Sequence, residues 1–263
     1  MPRFKDQAIC IRHIDWSETS QVVALLTREQ GKVRGIAKGS KRTSPGSVQR
    51  FSGGIELLTR GQVVATTKAT TDLASISEWD LQQPYRHLRT DLEANQIGMY
   101  AVDLVAALMA DHDPHPDSFD AMVQLLESLT VPDDQQRQFA LLQFQWALLF
   151  DCGFKPELDA DASTGEVFAS GGDADQPLWF DAHAGGVTYV VRDSDFTHAR
   201  GRGADPGPWR VRLETVTLLR SLSNGHVIDK VDADSIVRAN RLLCVYIRAL
   251  LDRQLPTMAA VLG

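Results

Sequence analysis

The chain has 263 residues, of which 43% are hydrophobic and 23% charged, as is typical of a globular protein with one or two domains. No apolar run reaches the ~18 residues that a membrane-spanning helix needs, and the N-terminal segment lacks the apolar stretch of a signal peptide, so we expect a cytoplasmic protein without a membrane partner. Its three cysteines are widely spaced and form no CxxC pair, which argues against a disulfide framework and a cysteine zinc site.

The first 80 residues are predicted to form strands. Five to six short segments of apolar or alternating pattern are separated by glycine-rich turns, which favours a small β-barrel. The segments are QAICIRHIDW, SQVVALLTRE, KVRGIAKG, FSGGIELLTRG, QVVATTKAT and LASISEWDL. Gly35 and Gly39 lie inside one of these segments and predict bulges or bends.

After Pro84 the apolar residues follow helical spacing, which predicts a mainly α-helical domain over residues 81–263. The second helix is predicted to begin with Asp117 or Ser118 as its N-cap, and Gly153 is predicted to follow the end of the third. Residues 154–205 are rich in glycine, aspartate and short strand-like pieces, so we expect a small β-rich insert there. Two further helices are predicted before the end of the sequence.

The charge is unevenly distributed along the chain. The net charge is −7, but residues 1–60 carry +6 and the remainder −13. This asymmetry predicts a polyanion-binding module joined to an acidic body.

The strongest local concentration of positive charge is the basic segment, residues 31–50, with six basic residues and no acidic one. Such side chains would face phosphates, with Trp16, Phe51 or Phe4 as candidates to stack on bases. The alternative is a solvated basic loop without a ligand. The segment lacks the GxxxxGK[ST] order of a P-loop and the GxGxxG order of a dinucleotide site.

One other cluster has an open interpretation. Asp111, His112, Asp113, His115 and Asp117 could bind a metal in a hydrolase, or could be an ordinary exposed loop. No GxSxG elbow or other nucleophile with a paired base is recognisable.

The apolar face of the third helix is either core or a groove for a partner peptide. It is formed by Phe139, Leu142, Trp146, Leu149 and Phe150. Arg137 or Arg241 could hold a peptide carboxylate beside such a groove.

One segment, TREQGKVRGIAKGSKR, is preceded by SQVVALLT and followed by QRFSGGIEL. It resembles the N-terminal signature of the bacterial RecO family. The family pattern is a Thr-Arg-Glu-x-Gly-Lys turn and then Gly-x-Ala-Lys-Gly-x-x-Arg. The matching residues are Thr27, Arg28, Glu29, Gly31, Lys32, Gly35, Ala37, Lys38, Gly39 and Arg42. Weaker similarity continues through SEWDL, MYAVDLV, LLFDCGFKPELD and YIRALLDRQLPTM.

The resemblance implies an α+β protein: an N-terminal OB-fold, a five-stranded β-barrel over residues 1–80, and a helical domain with a zinc-bearing insert. It implies a recombination mediator rather than an enzyme. Family members bind single- and double-stranded DNA and anneal complementary strands. With RecR they help RecA replace single-strand-binding protein (SSB), and they also bind the acidic C-terminal tail of SSB. We therefore expect a location at the nucleoid.

The sequence departs from the family at the zinc site. The four cysteine positions fall near Asp161, Thr164, Tyr189 and Arg192, and none is cysteine. Because such a site needs thiolate ligands, we predict no zinc and no other cofactor. The insert would instead be held by packing of Phe168, Trp179, Phe180 and Tyr189.

We therefore predict that the barrel binds DNA phosphates without catalysis. The predicted DNA-binding residues are Arg28, Lys32, Arg34, Lys38, Lys41, Arg42 and Arg50. The alternative is a protein-only adaptor of the recombination machinery, whose partners make the DNA contact.

Overall fold

The computed structural model describes residues 2–68, 71–168, 177–189, 207–223 and 231–262. The chain divides into two compact units, residues 1–131 and residues 132–263. The sequence places a domain boundary at residue 80, whereas the first compact unit also includes the two helices that follow the strands. Among the described residues, no helix is both long enough and apolar enough to cross a lipid bilayer.

The first unit begins with a closed five-stranded barrel. Its strands are β1 (Arg3–Asp15), β2 (Gln21–Thr27), β3 (Gly31–Ala37), β4 (Arg60–Lys68) and β5 (Thr71–Gln83). They are hydrogen-bonded in the order β1-β2-β3-β5-β4, and β4 returns to β1. Only the pairing of β3 with β5 is parallel; the other pairings are antiparallel. This arrangement confirms the predicted OB-like barrel.

Alternate residues of the strands fill the barrel interior, as the period of two requires. Val23, Leu25 and Val33 point inward, and Trp79 is fully buried. A short helix, α1 (Pro45–Phe51), follows β3, and its last residue, Phe51, is part of this core. The sequence predicts a strand from residue 51 to residue 61, and this prediction is wrong: α1 ends at Phe51, and β4 begins only at Arg60.

Two helices complete the first unit. After a 3₁₀ turn (Arg86–Arg89) come α2 (Leu92–Leu108) and α3 (Pro116–Ser128). Asp91 caps α2 by accepting a hydrogen bond from the backbone N–H of Ala94 at 3.1 Å. The cap predicted for α3 is wrong, because Pro116 occupies the first turn and His115 is the N-cap.

The second unit contains α4 (Asp134–Asp151), α5 (Leu213–Ser223), α6 (Ala233–Leu251) and α7 (Met258–Leu262). Buried leucines of α4, α5 and α6 form its core, and Gln145 donates to Asn240 inside it at 2.7 Å. Gly153 follows α4 with φ +78, as predicted for a residue that ends a helix. A small sheet, in the order β7-β6-β8, has strands β6 (Leu178–Asp181), β7 (Gly186–Thr188) and β8 (Trp209–Val211).

Candidate nucleic-acid interface

The basic segment runs along β3, through the connection after it, and into α1. Lys38, Lys41, Arg42 and Arg50 belong to its second half, and all four are exposed. Gly39 has φ +75 and turns the chain, so that the backbone N–H of Arg42 donates to its carbonyl oxygen at 3.1 Å. The cations of this half are therefore presented by a tight turn and a short helix.

This connection is tied to the hairpin turn between β1 and β2, residues 16–20. The backbone N–H of Lys41 donates to Thr19 O at 3.1 Å, and that of Gly39 donates to Ser20 Oγ at 3.3 Å. The ammonium group of Lys41 also lies 2.6 Å from a carboxylate oxygen of Asp15. Three contacts therefore hold the two loops together at one end of the barrel.

The outer face of β1, β2 and β3 continues from these loops. Arg12 pairs in register with Ala24, and Ala24 pairs with Arg34. The next outward row toward the hairpin turn is apolar and consists of Ile14, Val22 and Ile36. Two arginines thus flank one end of an apolar strip, and the loops carrying Lys38 to Arg42 flank the other.

A groove of about 660 Å³ separates part of this face from α2. Arg12, His13 and Arg34 line its barrel side, and Met99 and Asp103 line its helix side. Sequence reasoning missed Arg12 as a candidate, because it lies outside the basic segment. The strand β1 has one extra residue between Cys10 and Arg12. This residue shifts the alternation of inward and outward side chains, so that Arg12 lies on the outer face.

The first half of the basic segment makes contacts within the unit. Lys32 Nζ lies 2.9 Å from Met109 O and 3.1 Å from Ala106 O, at the C-terminal end of α2. Asp111 accepts from both Lys32, at 3.3 Å, and Arg34, at 3.0 Å. Lys32 is only 14% exposed, whereas Arg34 is 52% exposed. Lys32 thus supplies positive charge to the free carbonyls of a helix end.

Arg28 joins the barrel to α3. Its guanidinium donates twice to the Asp120 carboxylate, at 3.0 and 2.8 Å, and once to Glu29 at 2.7 Å. The hydrogen bonds from Arg28 are the main reason why the pKa of Asp120 lies below its ordinary value. The Arg28–Asp120 contact spans 92 residues of sequence and fixes α3 against the barrel.

The seven predicted DNA-binding residues therefore form two sets. Arg28, Lys32 and Arg34 pair with carboxylates of the same unit, and Lys41 pairs with Asp15. Within the described part of the chain, no carboxylate forms an ion pair with Lys38, Arg42 or Arg50. Arg50 contacts its own helix, donating to Gly46 O at 3.2 Å and lying 5.7 Å from the ring centre of Phe51. A role of any of the seven in DNA binding stays a prediction.

The three aromatic candidates for base stacking differ in accessibility. Phe51 is 1% exposed and belongs to the barrel core, and Phe4 packs partly buried against that core. Trp16 is 69% exposed in the hairpin turn. Only Trp16 among them is available to a ligand.

The Asp/His cluster at residues 111–117 is not arranged as a metal site. The Asp111 carboxylate is occupied by Lys32 and Arg34, and His115 pairs with Asp113 at 3.2 Å. Nowhere in the described ranges do three or more histidine, cysteine or acidic side chains come together as metal ligands. The cluster instead belongs to the segment that runs beside β3, where the backbone N–H of His112 donates to Lys32 O at 3.0 Å.

The residues at the family's zinc position do not suit that metal. Asp161 is 4% exposed, and its carboxylate accepts four hydrogen bonds: from the N–H of Ser163, Thr164 and Tyr189 and from the hydroxyl of Thr188, at 2.8–3.0 Å. Burial by itself would raise the pKa of Asp161, but these hydrogen bonds outweigh it and hold the pKa below its ordinary value. Arg192 lies outside the described residues.

This carboxylate joins two stretches of the insert, residues 161–164 and residues 188–189. The predicted aromatic packing adds to it: the rings of Phe168 and Tyr189 meet edge to face at 4.8 Å, and Phe180 is fully buried near Trp209 and Tyr246. Trp179 is half-buried on β6. Hydrogen bonding and packing thus hold the described part of the insert.

The apolar face of the third predicted helix is mostly core. Leu142, Trp146 and Leu149 of α4 are buried, and so is Arg137. Phe139 is half-buried, and Phe150 is exposed near the end of the helix. Arg241 is exposed on α6. Most of the face therefore packs inside its own unit rather than forming a groove.

Comparison with known proteins agrees with this architecture. A family model described as recombination protein O N terminal matches residues 1–85, and one described as recombination protein O C terminal matches residues 89–259. The DNA repair protein RecO of Anaeromyxobacter sp. (strain K) is 32% identical over 187 residues, which are 71% of this chain and 69% of that protein.

Two other proteins named DNA repair protein RecO are also similar. That of Salinibacter ruber is 31% identical over 187 residues, 66% of this chain and 70% of the relative. That of Halalkalibacterium halodurans is 26% identical over 219 residues, 82% and 76% of the two chains. The chain belongs to the recombination protein O (RecO) family of DNA repair proteins.

Proposed function

We propose that the chain is a recombination mediator that binds single- and double-stranded DNA through one end of its barrel. The proposed DNA surface consists of Arg12, Lys38, Arg42 and Arg50, with Lys41 beside them in its ion pair with Asp15. The observation that carries this proposal is the exposed turn after β3, where Lys38 and Arg42 have no ion pair among the described residues. Cations that no carboxylate neutralises are the ones that can replace counterions on a phosphate backbone.

Binding of this kind follows from charge and has little sequence preference. Phosphate contacts set the position of the protein on a strand but do not distinguish bases. Each phosphate that is neutralised releases counterions, so affinity falls steeply as the salt concentration rises. Two strands whose phosphates are partly neutralised repel each other less, which favours annealing of complementary strands.

The mediator role requires protein partners, and these come from the family. We propose that the chain acts with RecR, binds the C-terminal tail of SSB, and helps RecA to load onto SSB-coated DNA. The strong negative charge outside residues 1–60 supports a division of roles in which residues 1–60 bind DNA and the remainder binds proteins. An acidic body repels DNA and leaves its surface to proteins. Location at the nucleoid, and action without chemical turnover, follow from the same proposal.

The decisive experiment measures DNA affinity over a range of salt concentrations for the wild type and the triple variant Lys38→Ala, Lys41→Ala, Arg42→Ala. Loss of the two cations without an ion pair among the described residues, Lys38 and Arg42, should flatten the slope of log affinity against log salt by about 1.4 to 1.8, because Asp15 already neutralises Lys41. The charge-matched control is Lys155→Ala, Arg210→Ala, Arg253→Ala, three exposed residues of the second unit. An equal slope for both triple variants and the wild type contradicts the proposed surface.

The second candidate is a protein-only adaptor whose partners hold the DNA. It is favoured by the contacts of Arg28, Lys32 and Arg34, because cations paired within the unit contribute little to a polyanion site. Purified chain without partners separates the two functions. A mediator binds an oligonucleotide by itself at low salt, whereas an adaptor binds it only after RecR is added.

A further inference from the structure

Trp16 is the most exposed of the five tryptophans in the chain. Trp79 and Trp146 are buried, Trp179 and Trp209 are half-buried, and Trp16 is solvent-accessible over most of its surface. An indole ring left in water forgoes the stabilisation that burial of a large aromatic side chain provides. The exposed position of this ring therefore contributes little to the stability of the barrel.

The backbone beneath the ring is fixed rather than loose. Trp16 N–H donates to Ser20 O at 2.9 Å, and Ser17 N–H donates to the same oxygen at 3.2 Å. The contacts of Lys41 with Thr19 and Asp15 attach this turn to the connection after β3. The backbone of such a turn loses little conformational freedom when a ligand covers the ring.

The surroundings of the ring combine apolar surface with cations. Ile14, two residues earlier and near the end of β1, is 51% exposed, and the row that it forms with Val22 and Ile36 lies between the arginines and the turn. Cations flank both ends of this apolar strip. A strand lying along it could place phosphates on the cations and base faces on the strip and the indole.

We propose that Trp16 stacks on an unpaired base, and that this contact makes the surface prefer single-stranded over double-stranded DNA. The inference rests on the proposed function. In a duplex the base faces are covered by their neighbours, so only the phosphate contacts remain. The stacking contact is lost when two strands anneal, and the duplex product therefore binds more weakly than the strands from which it forms.

The test compares Trp16→Ala and Trp16→Phe with the wild type on three probes of equal length: oligo(dT), a strand of abasic sites, and a duplex. Loss of one base–aromatic contact should weaken oligo(dT) binding by about 5- to 150-fold in the alanine variant, and less in the phenylalanine variant. Affinity for the abasic strand and the duplex should change less than twofold. The salt slope should stay the same for every probe.

Glu18→Gln is the matched control, because it removes a negative charge from the same turn and leaves the ring in place. It should strengthen binding to all three probes alike. Oligo(dT) should also quench tryptophan fluorescence of the wild type, and the quenching should be largely lost in Trp16→Phe.

Three outcomes overturn the inference or its basis. Equal weakening on all three probes would give Trp16 a general structural role, and unchanged oligo(dT) affinity would show that the ring makes no contact. If the wild type binds none of the probes at low salt, the proposed function itself fails. Matching thermal unfolding midpoints of wild type and Trp16→Phe exclude misfolding as the cause of an effect.

Discussion

Lys32 Nζ lies 2.9 Å from the carbonyl oxygen of Met109, so a side chain of β3 caps the end of α2. Neighbouring residues of the family signature also have structural partners. Thr27 Oγ1 donates to Gly31 O at 2.8 Å across the β2–β3 turn, and Arg28 binds Asp120 of α3. This part of the signature therefore attaches two helices to the barrel. The cations for which the described residues offer no ion pair, Lys38, Arg42 and Arg50, lie farther along the segment.

Lys32→Met tests this division, because methionine keeps the apolar stem and removes the ammonium group. Loss of the contacts with two helix-end carbonyls should lower the free energy of unfolding by about 1–2 kcal/mol. The salt dependence of DNA binding should not change. Chemical denaturation and fluorescence anisotropy measure the two quantities.

Arg42→Ala is the complementary variant and should show the opposite pattern, with weaker DNA binding and unchanged stability. Arg42 is exposed, and no carboxylate pairs with it among the described residues. A flattened salt slope in Lys32→Met would assign Lys32 to the DNA surface and contradict the structural role.

Gly31 is predicted to resist substitution for two separate reasons. Its φ is +68, and an added Cβ would lie 2.2 Å from the carbonyl oxygen of Asp113, in the segment that runs beside β3. Gly31→Ala should therefore lower the free energy of unfolding by roughly 3 kcal/mol or more. The control is Gly53→Ala, with φ +89 and no atom within 4 Å of the added Cβ.

Gly53→Ala pays only for the left-handed backbone, about 1–2 kcal/mol. Thermal or urea unfolding of the two variants measures the difference. Equal losses of unfolding free energy would mean that the segment at residue 113 moves away from the added Cβ without loss of stability. Backbone conformation alone would then explain the glycine at position 31.

The barrel could be predicted from the sequence because local pattern determines it. Alternating strands and glycine turns are visible in the sequence, and their inward residues form the core found in the structure. Helix α1 was missed because seven residues, among them a proline and a glycine, are too few to show helical periodicity. Its role depends on Phe51 filling the barrel, which is a tertiary contact.

The chemistry of the site was less predictable than the fold. Composition identified every cation of the basic segment but not its partner, since Lys32 and the Met109 carbonyl that it contacts are 77 residues apart. Gly35 illustrates the same limit. Of the bulges or bends predicted at Gly35 and Gly39, Gly39 lies at the turn after β3, whereas at Gly35 the pairing of β3 with β2 is regular and has no bulge. Instead, an added Cβ would lie 2.8 Å from the side chain of Ile76 on β5.

Asp161 should dominate the stability of the insert. Asp161→Ala removes a buried acceptor and the four hydrogen bonds that it accepts, which should lower the free energy of unfolding by about 3 kcal/mol. Amide hydrogen exchange should accelerate at Thr164 and Tyr189, whose N–H groups bind the carboxylate. Asp159→Ala is the control, because that neighbouring carboxylate is exposed. Unchanged exchange in Asp161→Ala contradicts the role.

The same carboxylate predicts a pH effect with a definite sign. The folded pKa of Asp161 lies below its ordinary value of 3.8, so the ionised form stabilises the fold. That stabilisation is complete above the unfolded pKa and is lost as the pH falls through the folded pKa. The stability difference between wild type and Asp161→Asn should therefore shrink below about pH 4. A difference that is constant from pH 7 to pH 3 would show that ionisation is irrelevant.

The thiols should differ in reactivity in the folded chain. Burial raises the pKa of Cys10 to about 12, and Cys10 and Cys244 are both inaccessible. Because the thiolate is the reactive form, a disulfide reagent at pH 8 should modify at most one thiol of the native protein, Cys152, and three after unfolding. Cys152→Ser should remove the fast phase. Rapid reaction of two thiols would mean that one of the cores opens readily.

Asp111 holds Arg34, a half-exposed cation of the groove, in an ion pair. Its carboxylate lies 3.0 Å from Arg34, whose side chain is half exposed on the outer face beside Arg12. Asp111→Asn should release Arg34 for one additional phosphate contact, so DNA binding should tighten and the salt slope should steepen by about 0.7–0.9. Stability should fall by about 1–2 kcal/mol, because the half-buried Asp111 carboxylate also pairs with the mostly buried Lys32. Asp80→Asn, on β5 and outside the groove, removes the same charge and should leave the slope unchanged.

Steeper slopes in both variants would mean that net charge, and not the freed guanidinium of Arg34, controls binding. Unchanged slopes in both would remove Arg34 from the DNA surface.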